Sequence, residues 1–248
     1  MSILTERKGK TSVAWIKGRS QQLYEDRFRM LSKDVPLVSN QNRGELFAVF
    51  DGIGSASEGR HAAQHMADQL IDFYRETFRY SADQHGLCQL LMDSNNDIYH
   101  WGLKPGTQTP VGGCAGTVVW IYEKMLYVFH AGDTVGLHIR EYDGQDFRLT
   151  GEHQMPDGSI FQFFGMGEKL QIETVQTNID ESDRILIMSD GVTKVFHPRQ
   201  IAEIIDKIYD SRLATMEIIH QCLLRGASDD MTVMLIEIDD LADEHYCL

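Results

Sequence analysis

Apolar residues along this chain follow two rhythms. Short runs rich in Val, Ile, Phe, Tyr and Trp, bounded by Gly, Asp or Asn, predict strands over residues 12–16, 28–31, 46–50, 117–122, 125–130, 135–140, 184–188 and 231–238. Tyr142-Asp143-Gly144 is a hairpin turn signal, since Asp-Gly supplies the positive φ that tight hairpins need. The slower rhythm is helical. Over 57–80, Ala62, Met66, Leu70, Phe73 and Thr77 recur at three-to-four spacing along one face. A second helix is expected over 83–101, broken or loosened near Asp93-Ser94-Asn95-Asn96, and two more over 198–209, opened by Pro198, and 214–225.

The order is therefore strands, two helices, strands, two helices and a last strand. Strands mostly follow strands, which favours an α+β fold with antiparallel sheets over a doubly wound parallel one. Two antiparallel β-sheets sandwiched between pairs of α-helices, a four-layer α-β-β-α arrangement, would bury every predicted strand. No Ser/Gly linker, repeat or low-complexity tract interrupts 1–248, so a single domain is expected.

Charge narrows the function classes. With 23 Lys+Arg against 37 Asp+Glu over 248 residues, the formal net charge is −14. That disfavours nucleic-acid and anionic-membrane partners, both of which call for a basic patch. Residues 1–10 lack the apolar core of a signal peptide, and no apolar run approaches the roughly 18–20 residues of a membrane helix. Cys88, Cys114, Cys222 and Cys247 are scattered without a C-x-x-C pair, as in a reducing compartment. The expectation is a cytoplasmic protein without membrane insertion. The acids of 239–244 read as a solvated tail.

Some acids sit where a bulk count cannot explain them. The 46–50 run leads into Asp51-Gly52, the 184–188 run passes Ser189 into Asp190-Gly191, Asp229-Asp230 precedes the last strand, and Glu25-Asp26 precedes the strand at 28–31. Strands ending in acids deliver carboxylates to one rim of a sheet, where they repel unless a cation compensates. Hard oxygen ligands select Mg²⁺ or Mn²⁺ over zinc, and two such ions about 3.5–4 Å apart can activate water and grip phosphate oxygens. An isolated Asp-Gly is ordinary turn chemistry, which covers Asp143-Gly144 and Asp157-Gly158. Gly9-Lys10-Thr11 is not a phosphate-binding P-loop, because Leu4 stands where that loop needs glycine; His61 and His65 lack the adjacent Glu of a zinc-protease helix.

These same residues resemble the motifs of the metal-dependent protein phosphatases, the type 2C protein phosphatase family. Phe47-Ala48-Val49-Phe50-Asp51-Gly52-Ile53-Gly54 resembles that family's "FAVFDGHGG", and Glu25-Asp26 its N-terminal "ED". GCAGTV from Gly113 is similar to "GSTA", Ala131-Gly132-Asp133-Thr134 to "GDSR", LIMSDGV from Leu186 to "LLxSDGL", and SDDMTV from Ser228 to "xDNxTV". The blocks occur in family order over most of the chain.

The resemblance implies the same four-layer fold and a centre of two Mn²⁺ or Mg²⁺ ions. It also implies hydrolysis of phosphoserine and phosphothreonine in a phosphorylated protein substrate, such as the target of a Ser/Thr kinase, by a metal-bridged hydroxide. Asp51 would bridge the ions, the Gly52 carbonyl would ligate one, and Asp190 and Asp229 would hold one, with Asp26 near the same centre. Glu25 would act through water and Asp230 would stand behind the ligands.

Four departures go with it. Ile53 replaces the motif's histidine, so another acid or metal-bound water must protonate the leaving group. Gln21 stands where an Arg normally grips phosphate, leaving Arg19 as the candidate phosphate contact. Pro110 stands where an Asp for a third metal is expected, and 151–169 is too short for a flap subdomain. A pseudophosphatase, keeping the fold as a docking or regulatory surface, is the rival reading.

Overall fold

A computed structural model describes residues 2–54 and 56–239. Its strands are β1 Leu4–Lys8, β2 Thr11–Ile16, β3 Arg27–Leu31, β4 Glu45–Gly52, β5 Cys114–Tyr122, β6 Met125–Ala131, β7 Val135–Ile139, β8 Asp146–Arg148, β9 Glu173–Asn178, β10 Arg184–Met188 and β11 Met231–Glu237. All pair antiparallel, in one sheet of order β1-β2-β11-β10-β7-β8 and another of order β3-β4-β5-β6-β9. The helices are α1 Pro36–Gln41, α2 Gly59–Gln69, α3 Asp72–Arg75, α4 Gln84–Tyr99, α5 Asp190–Thr193, α6 Pro198–Ile205 and α7 Ser211–Leu224.

The strand alternation explains the layers. On β4, Phe47 and Val49 face the other sheet, whereas Leu46, Ala48 and Phe50 face the helical layer of α2 and α4. On β10, Ile185 and Ile187 share the inter-sheet core, and Leu186 and Met188 face the layer of α6 and α7. Both faces are dry, which is why these strands read as unbroken apolar runs. The α+β four-layer architecture is the one the element order implies.

Two helices depart from their expected form. The 57–80 helix ends at Gln69; the chain bends through Leu70 and restarts as α3. The bend returns Phe73 and Tyr74 to the core, where the Tyr74 hydroxyl donates to the Gly44 carbonyl at 2.8 Å, and leaves Phe78 in solvent. Conversely, α4 runs unbroken through Ser94-Asn95-Asn96. Ser94 donates to the Leu90 carbonyl, and Asn95 donates to Gly167 O and accepts from Gly165 N–H, so that polar stretch anchors a loop. The 198–209 helix stops at Ile205, β8 is followed by irregular chain at 149–150, and the exposed or edge strands β1 and β9 carry no apolar run to announce them. Gly144 and Gly9 both take positive φ in hairpin turns. Cys88, Cys114 and Cys222 are free thiols; Cys247 and most of the 239–244 tail lie outside the described residues. No described helix is long and apolar enough to cross a membrane.

Candidate metal centre

The inter-sheet core is closed at one end by acids. Asp51 continues the Phe47, Val49 face of β4, and Asp26 precedes β3 in register with Phe28 and Met30. Asp26 is fully buried and spans the sheets: its Oδ2 accepts from Thr232 Oγ1 of β11 at 2.6 Å. Asp190 opens α5 directly after β10 and Ser189, and Ser189 exchanges bonds with the Thr232 backbone. A cavity of about 420 Å³ lies over this rim, lined by Gln21, Glu25, Asp51, Gly52, Ile53, Asp133, Asp190, Lys194 and Asp229 among others. A hollow of about 570 Å³ at the opposite strand ends is lined by Lys124, Tyr142 and Ser182 with Glu141, Asp180 and Glu181, and has none of the strand-end aspartates.

Backbone proximity builds the rim. A Cβ on Gly52 would meet the Gly59 carbonyl carbon at 2.7 Å and the Arg60 nitrogen at 2.9 Å, so only glycine lets α2 start against the end of β4. Asp230 fixes the loop that carries Glu25: its Oδ1 accepts from Gly18 N–H at 2.7 Å and its Oδ2 from Glu25 N–H at 2.6 Å. Both Asp230 oxygens are thus spent on backbone, in keeping with a place behind the ligands.

The acids are electrostatically uncomfortable. Burial, then the charges of Asp26, Asp190, Asp133 and Asp229, push the Asp51 carboxyl well above the usual range. Burial raises Asp26 to about 7 against the hydrogen bonds of Thr232 and Ser189, and Glu25 is raised by burial with Asp230 and Asp229. Asp26 Oδ1 is buried without a hydrogen-bond partner. An orphaned buried carboxylate oxygen among further carboxylates is the donor set a hard dication fits. The residues present therefore suit Mn²⁺ or Mg²⁺.

Two further members of the rim have no site role among the sequence-based expectations. Asp133, after β6 and Gly132, lines the cavity; burial and Asp190 raise it to about 7, and Gln154 Nε2 donates to it at 3.3 Å. Its signal was present, as the acid closing an apolar strand. Lys194, one helical turn after Asp190, places Nζ 2.6 Å from Asp190 Oδ2 and 2.8 Å from Asp229 Oδ2. Burial opposes the ammonium charge, but these two acids win and raise its pKa. Although burial works against it, Asp229 is held below the usual carboxylate range by Lys194 and Gln21. The structure does not bring Arg19 into the cavity: it is exposed and is not among the lining residues. Gln21 does line it and donates to Asp229 Oδ1 at 2.9 Å. His61 is exposed and pairs with Glu58. The trio of described residues whose ligand atoms all lie within 4.8 Å of one another is elsewhere, at His130, His153 and Glu173.

Residues 19–224 match the family model described as "Protein phosphatase 2C". The chain belongs to the protein phosphatase 2C family, whose members are metal-dependent phosphatases. It is 23% identical to "Probable protein phosphatase 2C 20" of Arabidopsis thaliana, covering 94% of this chain and 88% of that one. It is 21% identical to "Serine/threonine phosphatase stp" of Listeria monocytogenes, over 82% and 88%. In fold it is similar to the serine/threonine phosphatase Stp1 of Staphylococcus aureus, with TM-score 0.78, 17% identity and coverage of 93% and 95%. It is likewise similar to the Ser-Thr phosphatase MsPP of Mycobacterium smegmatis in complex with cacodylate, with TM-score 0.73, 21% identity and coverage of 92% and 98%.

Proposed function

We propose that this chain hydrolyses phosphoserine and phosphothreonine in a protein substrate of a Ser/Thr kinase, using two Mn²⁺ or Mg²⁺ ions. The observation that supports it best is the unpartnered, buried Asp26 Oδ1 beside Asp51. Asp51, the Gly52 carbonyl, Asp190 and Asp229 would hold the ions, with Asp26 beside them and Glu25 acting through water. Bound dications supply Lewis acidity, lowering the pKa of water and neutralising phosphate charge. The chain's own residues do the rest. Asp230 holds the Glu25 backbone in place, and Thr232 and Ser189 restrain Asp26. Ile53 offers no proton to a leaving alkoxide, so another acid or water must supply it. Arg19 would reach a bound phosphate only by movement of its loop.

The rival reading, a docking module, draws on Gln21 and Ile53 at positions where the resembling motifs carry Arg and His. Phosphate release from a phosphothreonine peptide decides between them. Turnover should require Mn²⁺ or Mg²⁺ and collapse to background in Asp190→Asn with the circular dichroism spectrum unchanged. Folded wild-type protein without metal-dependent turnover would sink the enzyme reading.

A further inference from the structure

The two sides of the acidic rim are not equivalent. Among the described residues no cationic side chain hydrogen-bonds the carboxylate of Asp51 or Asp26, since Arg27 donates to the Asp26 backbone carbonyl instead, and Asp26 Oδ1 has no partner. On the other side every Asp229 oxygen is engaged: Oδ1 by Gln21 Nε2 at 2.9 Å and by the Asp230 N–H at 3.0 Å, Oδ2 by Lys194 Nζ at 2.8 Å. The same ammonium lies 2.6 Å from Asp190 Oδ2. Lys194 therefore bridges the two carboxylates that are the candidate ligands of one ion. It is the one basic side chain lining the cavity among the described residues.

We infer that Lys194 is a tethered cation competing with the dication for the Asp190/Asp229 position, so that the two metal positions load unequally. The inference rests on the two-metal reading above. An ammonium between two carboxylates supplies part of the compensation a dication would give, and it arrives without a loss of translational freedom because the chain holds it at the end of α5. An ion entering this position must break both charge-assisted contacts. An ion at Asp51 and the Gly52 carbonyl displaces no such partner. Lys194 can yield: its side chain is 52% exposed, and among the described residues these two acids are what hold Nζ. A lysine four residues after an aspartate on a helix is also an ordinary surface pair. The second contact, to Asp229 on a separate segment 35 residues away, is what makes it a competitor.

Mn²⁺ titration of the full chain by calorimetry, with electron paramagnetic resonance counting free ion, tests this without any turnover assay. Wild type should show one tighter and one weaker class of site. In Lys194→Met the weaker class should tighten at least about tenfold, the equivalent of one lost charge-assisted contact. Lys194→Arg, which keeps the charge, should bind like wild type. In EDTA, Lys194→Met should melt below wild type, and saturating Mn²⁺ should close that gap. Superimposable isotherms for wild type and Lys194→Met, both binding Mn²⁺, would overturn the competition and leave the metal reading standing. Absence of Mn²⁺ binding in both, with the fold intact, would overturn the metal reading and this inference with it.

Discussion

Two fully buried aspartates mark opposite ends of the sheets, and they are treated differently. Asp183, ahead of β10, is 1% exposed and saturated: it accepts from His138 Nε2 at 2.7 Å, Asp180 N–H at 3.0 Å and Glu141 N–H at 3.2 Å. Asp26 is 0% exposed and has one oxygen on Thr232 and the other without a hydrogen-bond partner. Burial of a carboxylate does not by itself signal a site. A buried carboxylate whose lone pairs the chain leaves open does, because folding tolerates that cost only where something else fills the place.

The largest effect expected of this contrast is on stability at the saturated end. Asp183→Ala leaves the His138 ring and two backbone amides without their acceptor and should cost about 3–5 kcal/mol, as breaking buried pairs does. Urea unfolding measures it. Metal-dependent turnover per folded molecule should stay at the wild-type level, since Asp183 lies away from the cavity. A loss of turnover equal to that of Asp190→Asn, in protein that is still folded, would erase the distinction between the two ends.

What the sequence disclosed follows the same physics. Strands buried on both faces announce themselves as unbroken apolar runs, and the acids closing them, Asp51 and Asp190, mark the rim of a sheet. Helix ends were less legible. The bend at Leu70 depends on the space that receives Phe73 and Tyr74, and the buried Asn95 of α4 makes sense only with the 165–167 loop that it grips. Strand β1, polar and at a sheet edge, has no inward face to betray it. At the site, spacing suggested Arg19 as the cation because it lies near Gln21 along the chain. Lys194 is far along the chain yet lies on the rim, and only the packing of α5 against the start of β11 brings it to Asp229.

Two buried histidines extend the contrast and give a smaller effect. His138 faces Asp183, whereas His130 lies between Thr117 Oγ1 and the Gly132 carbonyl, with the His153 ring tilted against it. Burial and then His153 push His130 down to about 3, with Arg148 adding to the same direction; Glu173 stands beyond His153. The folded chain thus refuses a proton that the unfolded chain takes below about pH 6.5. Its contribution is full above that pH and is lost progressively toward pH 3, by about 2 kcal/mol at pH 5. In EDTA, His130→Gln should flatten the drop in urea midpoint between pH 7 and pH 5. An unchanged slope would mean that folded His130 takes up its proton as readily as it does in the unfolded chain.

The smallest effect has the opposite sign and is the sharpest test of the orphaned oxygen. Asp26→Asn keeps the size of the side chain and an acceptor for Thr232 Oγ1. It replaces the unpartnered Oδ1 with an amide that can donate toward Asp190 or Asp230, whose charges now oppose it. Removing an uncompensated buried acid should therefore stabilise the metal-free chain by about 1 kcal/mol, raising its melting temperature by about 2–4 °C for a domain of this size. The further rise on adding Mn²⁺ should shrink, because the position that Asp26 helps to compensate has lost a negative charge. Asp183→Asn offers the matched control at the other end and should only destabilise. If Asp26→Asn also destabilises the metal-free chain while Mn²⁺ raises its melting temperature as much as in wild type, Asp26 belongs with Asp183 as a structural acid, and the open lone pair has no bearing on ion binding.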